Sequence, residues 1–81
     1  MKLIFDIGSN NGDDIPYYLH KSDIVVAVEA NPNLCKIISK RFKSEIRDKR
    51  LFIENAVITD SNEKETNFYI SKINHVISSI F

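Results

Sequence analysis

The sequence predicts an α/β fold in which a parallel sheet of strand order 3-2-1 is interleaved with helices. Three observations support this prediction. Short, nearly continuous apolar runs recur along the chain, as is typical of strands buried in a parallel sheet. Segments with helix start signals lie between these runs, and a turn rich in glycine and asparagine follows the first run. The order strand, helix, strand, helix, strand implies two crossovers, which join parallel strands.

The first predicted strand leads into the turn around which the rest of the chain is organised. Lys2 to Ile7 is nearly continuous in apolar residues, which predicts a strand covered on both faces. The turn runs from Gly8 to Gly12 and uses residues that tolerate positive φ. A short helix is expected from about Asp14 to His20, with Asp13 as its N-cap.

A β-hairpin is the alternative interpretation of this turn, because Asn11-Gly12 between apolar runs is a strong hairpin signal. Two features oppose it. Pro16 would remove a ladder hydrogen bond from the returning strand, and Asp13-Asp14 suits a helix start better. The turn is therefore predicted to connect a strand to a helix.

A second strand and a longer helix follow. Ile24 to Val28 predicts a buried strand that ends at Glu29, and Asn31-Pro32 is a cap followed by proline at the first helical position. The predicted helix runs from about Pro32 to Arg47. Its single apolar face is formed by Leu34, Ile37, Ile38, Phe42 and Ile46.

The remaining sequence predicts a third strand and an added C-terminal strand. Leu51 to Val57 is the third strand, Thr59 to Lys64 is a polar turn, and Glu65 to Ser71 is the fourth strand. Ile73 to Phe81 is apolar and β-branched, with no predicted partner. With 81 residues, the chain is expected to form one domain, and that domain to be incomplete, because the strands that would flank the first strand on its other side are missing.

Composition excludes several function classes. Eleven basic and eleven acidic residues give zero net charge, so no global field favours nucleic acid or an anionic membrane. The basic residues of the second helix and the turn after it are interpreted as a solvated surface, because acidic residues interleave with them. The single cysteine, Cys35, is expected to be a core or boundary residue, and it fits a cytoplasmic protein. The two histidines, His20 and His75, lack ligand spacing, so no metal site is expected.

Two features are predicted to meet at the carboxyl ends of the first two strands. Glu29 follows Gly8 by 21 residues, the spacing of an acidic residue that binds both hydroxyls of a ribose. Taken alone, Glu29 would instead be a solvated carboxylate at a strand end. Asp13-Asp14 would oppose a pyrophosphate, so a cofactor with a cationic centre and no phosphate is favoured. S-adenosylmethionine has these properties.

Several segments then resemble a known family. Phe5 to Gly12 looks like the first motif of the FkbM-like methyltransferases, and Val26 to Pro32 is similar to their second motif. Glu54 to Asp60, Phe68 to Ser71, and Ser78-Ser79 resemble the segments that follow. The resemblance keeps its order over nearly the whole chain. It implies a Rossmann-like class I methyltransferase half-fold and O-methyl transfer from S-adenosylmethionine.

Carried over residue by residue, the resemblance implies that the loop approaches the methionine part of the cofactor, Glu29 holds the ribose, and Asn55 and Ala56 lie near the adenine. Asp6 is included among the candidate site residues because it lies within a buried run, and its role is either structural or functional. The predicted cofactor-binding residues are Asp6, Gly8, Asn10, Gly12, Glu29, Asn55 and Ala56.

The chain also departs from the family. Asp13-Asp14 replaces the aromatic or small residues usual after the loop, and relatives continue past this length. The methyl acceptor, small molecule or glycan, and the general base are therefore not assigned, and the 81-residue chain alone is expected to be inactive or nearly so. A non-catalytic remnant, or an interaction module that pairs through the edge of the first strand and forms homo-oligomers, is the alternative.

Overall fold

A computed structural model describes residues 1–57, which form a three-stranded parallel sheet with three helices. The α/β class and the parallel sheet are confirmed. The predicted fourth strand and everything after Val57 lie outside the described residues. The elements in chain order are β1 (Leu3–Ile7), α1 (Ile15–Lys21), β2 (Ile24–Glu29), α2 (Pro32–Arg41), α3 (Lys43–Arg47) and β3 (Leu51–Asn55).

The sheet has the order β1-β2-β3, which is the predicted order 3-2-1 read from the opposite edge. β2 lies in the centre and pairs in parallel with both neighbours. All six of its residues are buried, which explains why its sequence is an uninterrupted apolar run up to Glu29. This arrangement is compatible with one half of a doubly wound fold.

The helices pack on one face of the sheet. Val25 and Ala27 of β2 belong to the main core there, together with residues of α1, α2 and β3. The opposite face holds a second apolar cluster around Val26 and Val28. Because alternate residues of a strand point to opposite faces, β2 contributes to both clusters.

β1 differs from the prediction that both of its faces are covered. Phe5 is 37% exposed and Ile7 is 51% exposed, whereas Asp6 between them is buried. A strand that is buried on both faces needs an apolar sequence, but an apolar sequence does not show that other elements cover both faces. The prediction of full coverage is therefore wrong for β1.

Two details of the helices also correct the sequence prediction. α1 begins after Asp14, not Asp13, and the Asp14 side chain makes no capping hydrogen bond. The single predicted helix from Pro32 to Arg47 is two helices, because the backbone at Phe42 (φ −120°, ψ 42°) leaves the helical region. The predicted cap at Asn31 is confirmed, since its side chain accepts the Asn33 N–H at 2.9 Å.

Strand β3 is shorter than predicted, ending at Asn55 instead of Val57. Val57 is 58% exposed. Within residues 1–57, none of the helices has the length and apolarity needed to cross a membrane.

Candidate functional site

The parallel sheet brings the ends of its three strands to one edge, and the predicted site residues gather there. The register places Val28 between Ile7 and Glu54, and Glu29 beside Asn55. The loop after β1, the acidic end of β2 and the end of β3 are therefore neighbours. We call residues Gly8 to Gly12 the ligand loop.

The backbone of the ligand loop has three residues with positive φ: Gly8 at 74°, Asn10 at 58° and Gly12 at 88°. Glycine adopts such angles without steric cost, and asparagine tolerates them better than most residues. The Gly8 N–H donates to the Val28 carbonyl at 2.8 Å, so the parallel ladder continues one residue into the loop. The composition of the loop thus follows from its backbone angles.

The two glycines of the loop have different surroundings. Apart from its two chain neighbours, no atom of residues 1–57 would lie within 4 Å of a Cβ added to Gly8, and Gly8 is exposed. A Cβ added to Gly12 would lie 2.9 Å from Phe42 Cε2 and 3.3 Å from the side chains of Ile15 and Ile38. Gly8 therefore leaves open space in which a ligand can approach the backbone, whereas Gly12 allows the loop to pack on the helices.

Glu29 fastens the ligand loop to the start of α2. Its Oε1 accepts the Asn10 N–H at 2.7 Å, and its Oε2 accepts the Asn31 N–H at 2.8 Å. These N–H groups, that of Asn31 first, hold the pKa of the Glu29 carboxyl below its ordinary value, although partial burial opposes them. The carboxylate is therefore ionised at neutral pH and oriented from both sides. A carboxylate offers about four acceptor positions, so two remain for ligand hydroxyls.

The carbonyl of Glu29 organises the neighbouring residues. It accepts the Ala56 N–H at 3.1 Å and the Asn55 side-chain amide at 2.9 Å. The same amide donates to the Ala30 carbonyl at 2.8 Å. Asn55 and Ala56 thus lie beside Glu29, and the amide nitrogen of Asn55 is already engaged by the protein.

Cys35 also faces this carbonyl, with Sγ 3.4 Å from the oxygen. Burial, together with the nearby Glu29 carboxylate, raises the pKa of the Cys35 thiol. A buried thiol with a raised pKa is a poor nucleophile, so the prediction that Cys35 is a core or boundary residue is confirmed.

Asp6 is a buried carboxylate just before the loop. It is 9% exposed, and its Oδ2 has no hydrogen-bond partner within the described part of the chain. Burial raises the pKa of the Asp6 carboxyl; a hydrogen bond with Ser9 opposes this rise, and the charges of Asp14 and Glu29 add to it. The backbone N–H groups of Gly8 and Ser9, which follow Asp6 closely, donate to the Val28 carbonyl.

Asp13 is engaged in an ion pair that the sequence did not indicate. Arg41 Nη1 lies 2.8 Å from Asp13 Oδ1, and this contact, followed by one with Asn11, lowers the pKa of the Asp13 carboxyl. Asp13 is thus compensated by a cation, and the argument from Asp13-Asp14 against a phosphate ligand now depends on Asp14 alone. The ionised Glu29 carboxylate is a further negative group at this edge.

Sequence reasoning missed Arg41 and Phe42 as neighbours of the loop. Arg41 was one of several basic residues on a helix that was expected to be solvated, and Phe42 was one member of an apolar stripe. Their contacts with the loop span about thirty residues of sequence, as in the Arg41 hydrogen bond to the Asn11 carbonyl with a separation of 30. No local pattern signals a pairing at that distance.

Within residues 1–57, no group of three or more histidine, cysteine, aspartate or glutamate side chains is arranged to hold a metal ion. No protein-family model, curated protein or solved structure matches the chain. The residues and geometry described above are therefore the basis for any proposal about function.

Proposed function

We propose that the chain is the cofactor-binding part of an S-adenosylmethionine-dependent methyltransferase that resembles the FkbM-like family and transfers to oxygen. The observation that carries the proposal is the contact between Glu29 and the ligand loop. An ionised carboxylate at the end of β2 holds the Asn10 N–H at 2.7 Å, beside an exposed Gly8. This is the position from which an acidic residue binds ribose hydroxyls in open parallel sheets.

Three features of this edge fit S-adenosylmethionine. The open space at Gly8 admits the backbone approach of a ligand. The remaining acceptor positions of Glu29 suit the two ribose hydroxyls. The Oδ2 of Asp6, which has no hydrogen-bond partner within residues 1–57, suits a cationic group, and a charged ligand would compensate its burial. A nucleotide with phosphates fits less well, because the ionised Glu29 carboxylate would repel phosphate groups.

The chemistry that this cofactor supplies is an electrophilic methyl group on a sulfonium, which is transferred by in-line displacement. The residues of this chain would hold and orient the ligand: Glu29 at the ribose, the loop at the methionine part, and Asn55 and Ala56 at the adenine. The base that would accept a hydroxyl proton, and the acceptor itself, are not assigned.

The proposal is tested by equilibrium binding of S-adenosylmethionine and S-adenosylhomocysteine to the full 81-residue chain. Isothermal titration should show saturable binding that is weakened by Glu29→Gln. Glu54→Gln is the matched control, because Glu54 lies one residue before the end of the neighbouring strand and its side chain makes no hydrogen bond within residues 1–57. Adenosine diphosphate should bind more weakly than either nucleoside. A folded chain without saturable binding of S-adenosylmethionine would refute the proposal.

If the chain binds the cofactor, a methyl-transfer assay separates an enzyme from a non-catalytic remnant. We expect the 81-residue chain to show little or no transfer, because no acceptor-side residue is assigned. The cytoplasmic location expected from the single cysteine stays a prediction.

A second candidate function is self-association through β1. The exposed apolar side chains of Phe5 and Ile7 favour it, at 37% and 51% exposure. A second copy of the chain would cover them. Sedimentation velocity should then show a dimer that Ile7→Lys dissociates. A wild-type chain that is monomeric at every concentration measured would exclude this function.

A further inference from the structure

The C-terminal end of α2 contacts the ligand loop directly. Arg41 Nη1 donates to the Asn11 carbonyl at 2.8 Å as well as to the Asp13 carboxylate at 2.8 Å. Both contacts come from one nitrogen of a side chain that is 40% exposed. The loop after β1 is thus braced by a residue from a different crossover.

The Arg41 contact restrains one particular peptide unit, the one that joins Asn11 and Gly12. Its carbonyl accepts from Arg41, and its N–H, that of Gly12, donates to the Ser9 carbonyl at 3.0 Å. Glycine adopts φ of either sign, so a peptide unit that precedes glycine rotates at lower steric cost than others. Without Arg41, the hydrogen bond from the Gly12 N–H to the Ser9 carbonyl would be the one that still holds this peptide unit within residues 1–57.

Phe42, where α2 ends, also contacts the ligand loop. The Phe42 ring packs against Gly12, where an added Cβ would lie 2.9 Å from Phe42 Cε2. The Arg41 guanidinium lies 5.2 Å from the centroid of the same ring, within the range of a cation–π contact. The Phe42 ring therefore contacts Gly12, and the Arg41 guanidinium contacts the preceding residue, Asn11. The ring also limits where the Arg41 side chain can lie.

We propose that Arg41 is a positioning residue for the ligand loop: it fixes the peptide unit between Asn11 and Gly12 and thereby raises ligand affinity without contacting the ligand. The affinity part of this proposal rests on the proposed function. A loop that is already ordered loses less conformational freedom on binding, so removal of the brace weakens binding. The order of the loop affects binding most at Asn11, because the Asn11 N–H has no acceptor within residues 1–57 and can donate to a ligand.

The experiment combines binding with a direct measurement of the loop. Arg41→Ala should raise the dissociation constant for S-adenosylmethionine roughly fivefold to tenfold. In ¹⁵N-labelled chain without ligand, the Asn11 and Gly12 amide signals should broaden by conformational exchange, and saturating S-adenosylmethionine should sharpen them again. Arg41→Lys, which keeps a cation but replaces the planar guanidinium by one ammonium group, should lose less affinity than Arg41→Ala.

Two control variants separate this role from others. Lys40→Ala removes the neighbouring exposed cation and should leave both readouts at wild-type values. Asp13→Asn removes the ion pair but leaves the Arg41 contact with the Asn11 carbonyl, so its dissociation constant should stay within about twofold of wild type. A larger effect for Asp13→Asn than for Arg41→Ala would overturn the role of the carbonyl contact.

The outcomes also distinguish this proposal from the proposed function. Unchanged Asn11 and Gly12 signals in Arg41→Ala, or an unchanged dissociation constant, overturn the positioning role. If the wild-type chain does not bind S-adenosylmethionine, the proposed function fails and the affinity claim fails with it. The amide signals of the ligand-free chain then still decide whether Arg41 fixes the loop. Since Arg41 is exposed in part, Arg41→Gln serves as a milder substitution if the alanine variant does not fold.

Discussion

The Glu29 carboxylate accepts the Asn10 N–H at 2.7 Å and so joins the end of β2 to the loop that follows β1. Its other oxygen accepts the Asn31 N–H at the start of α2. Glu29 is 9% exposed, so these hydrogen bonds are formed where water competes weakly. The residue proposed to bind a ribose therefore also determines the shape of the site.

Replacing Glu29 by Gln is expected to destabilise the folded chain. An amide has one acceptor oxygen and one donor nitrogen, so at least one of the two backbone N–H groups would face a donor. We expect a loss of about 1–3 kcal/mol in the free energy of unfolding, the usual cost of leaving a buried donor without an acceptor. Urea denaturation followed by circular dichroism measures it. Glu54→Gln should change stability by less than about 0.5 kcal/mol, and equal losses in the two variants would contradict the prediction.

The same contacts predict a pH dependence. The backbone N–H groups lower the pKa of Glu29 in the folded chain below its ordinary value of 4.5. The unfolded state then binds the proton more tightly, so the stability from Glu29 is full above pH 4.5 and is lost as the pH falls through the folded pKa.

The measurement for this prediction is the difference in unfolding free energy between wild type and Glu29→Gln, taken from pH 7 downward. Other carboxylates titrate in both proteins, so their effects largely cancel in the difference. We expect the difference to be constant at neutral pH and to narrow below pH 4.5. A difference that does not narrow in acid would show that the charge of Glu29 does not matter.

The strands and the location of the site could be predicted from sequence because their signals are local. β2 is an uninterrupted apolar run, and the spacing between Gly8 and Glu29 depends only on chain order. The helix break was missed because Phe42 and Ile46 both contact the core and so continue the apolar periodicity across it. Asp13 was expected to cap α1 because it precedes an apolar segment. Its partner is instead Arg41, and a residue 28 positions away gives no local signal.

Gly12→Ala is expected to destabilise the chain more than Gly8→Ala. Both substitutions place alanine at positive φ, which costs about 1–2 kcal/mol. At Gly12 the new methyl group would also collide with Phe42 Cε2 at 2.9 Å, for which we add about 1–3 kcal/mol. At Gly8 the described part of the chain has no atom within 4 Å of the added Cβ, apart from the two chain neighbours. Thermal and urea unfolding of both variants measures the difference, and an equal or larger loss at Gly8 would contradict the packing described here.

Asp6→Asn is expected to change stability and ligand binding in opposite directions. Burial raises the pKa of Asp6 above its ordinary value of 3.8, so the ionised form is disfavoured in the folded chain. The stability linked to this group is full below pH 3.8 and is lost as the pH rises through the folded pKa. At neutral pH, removing the charge should therefore leave the ligand-free chain as stable as before, or more stable by about 1 kcal/mol.

The Asp6→Asn substitution should weaken ligand binding if the Asp6 carboxylate compensates a cationic group of the ligand. We expect Asp6→Asn to raise the dissociation constant for S-adenosylmethionine about tenfold, which corresponds to about 1.4 kcal/mol. Asp14→Asn is the matched control, since Asp14 is exposed and asparagine is an equally good N-cap. It should leave stability nearly unchanged and weaken binding less than Asp6→Asn. A stabilised Asp6→Asn chain with wild-type affinity would show that no ligand cation contacts Asp6. A destabilised Asp6→Asn chain would show that the carboxylate stabilises the fold. A group that is retained for its ligand is instead expected to lower the stability of the ligand-free chain.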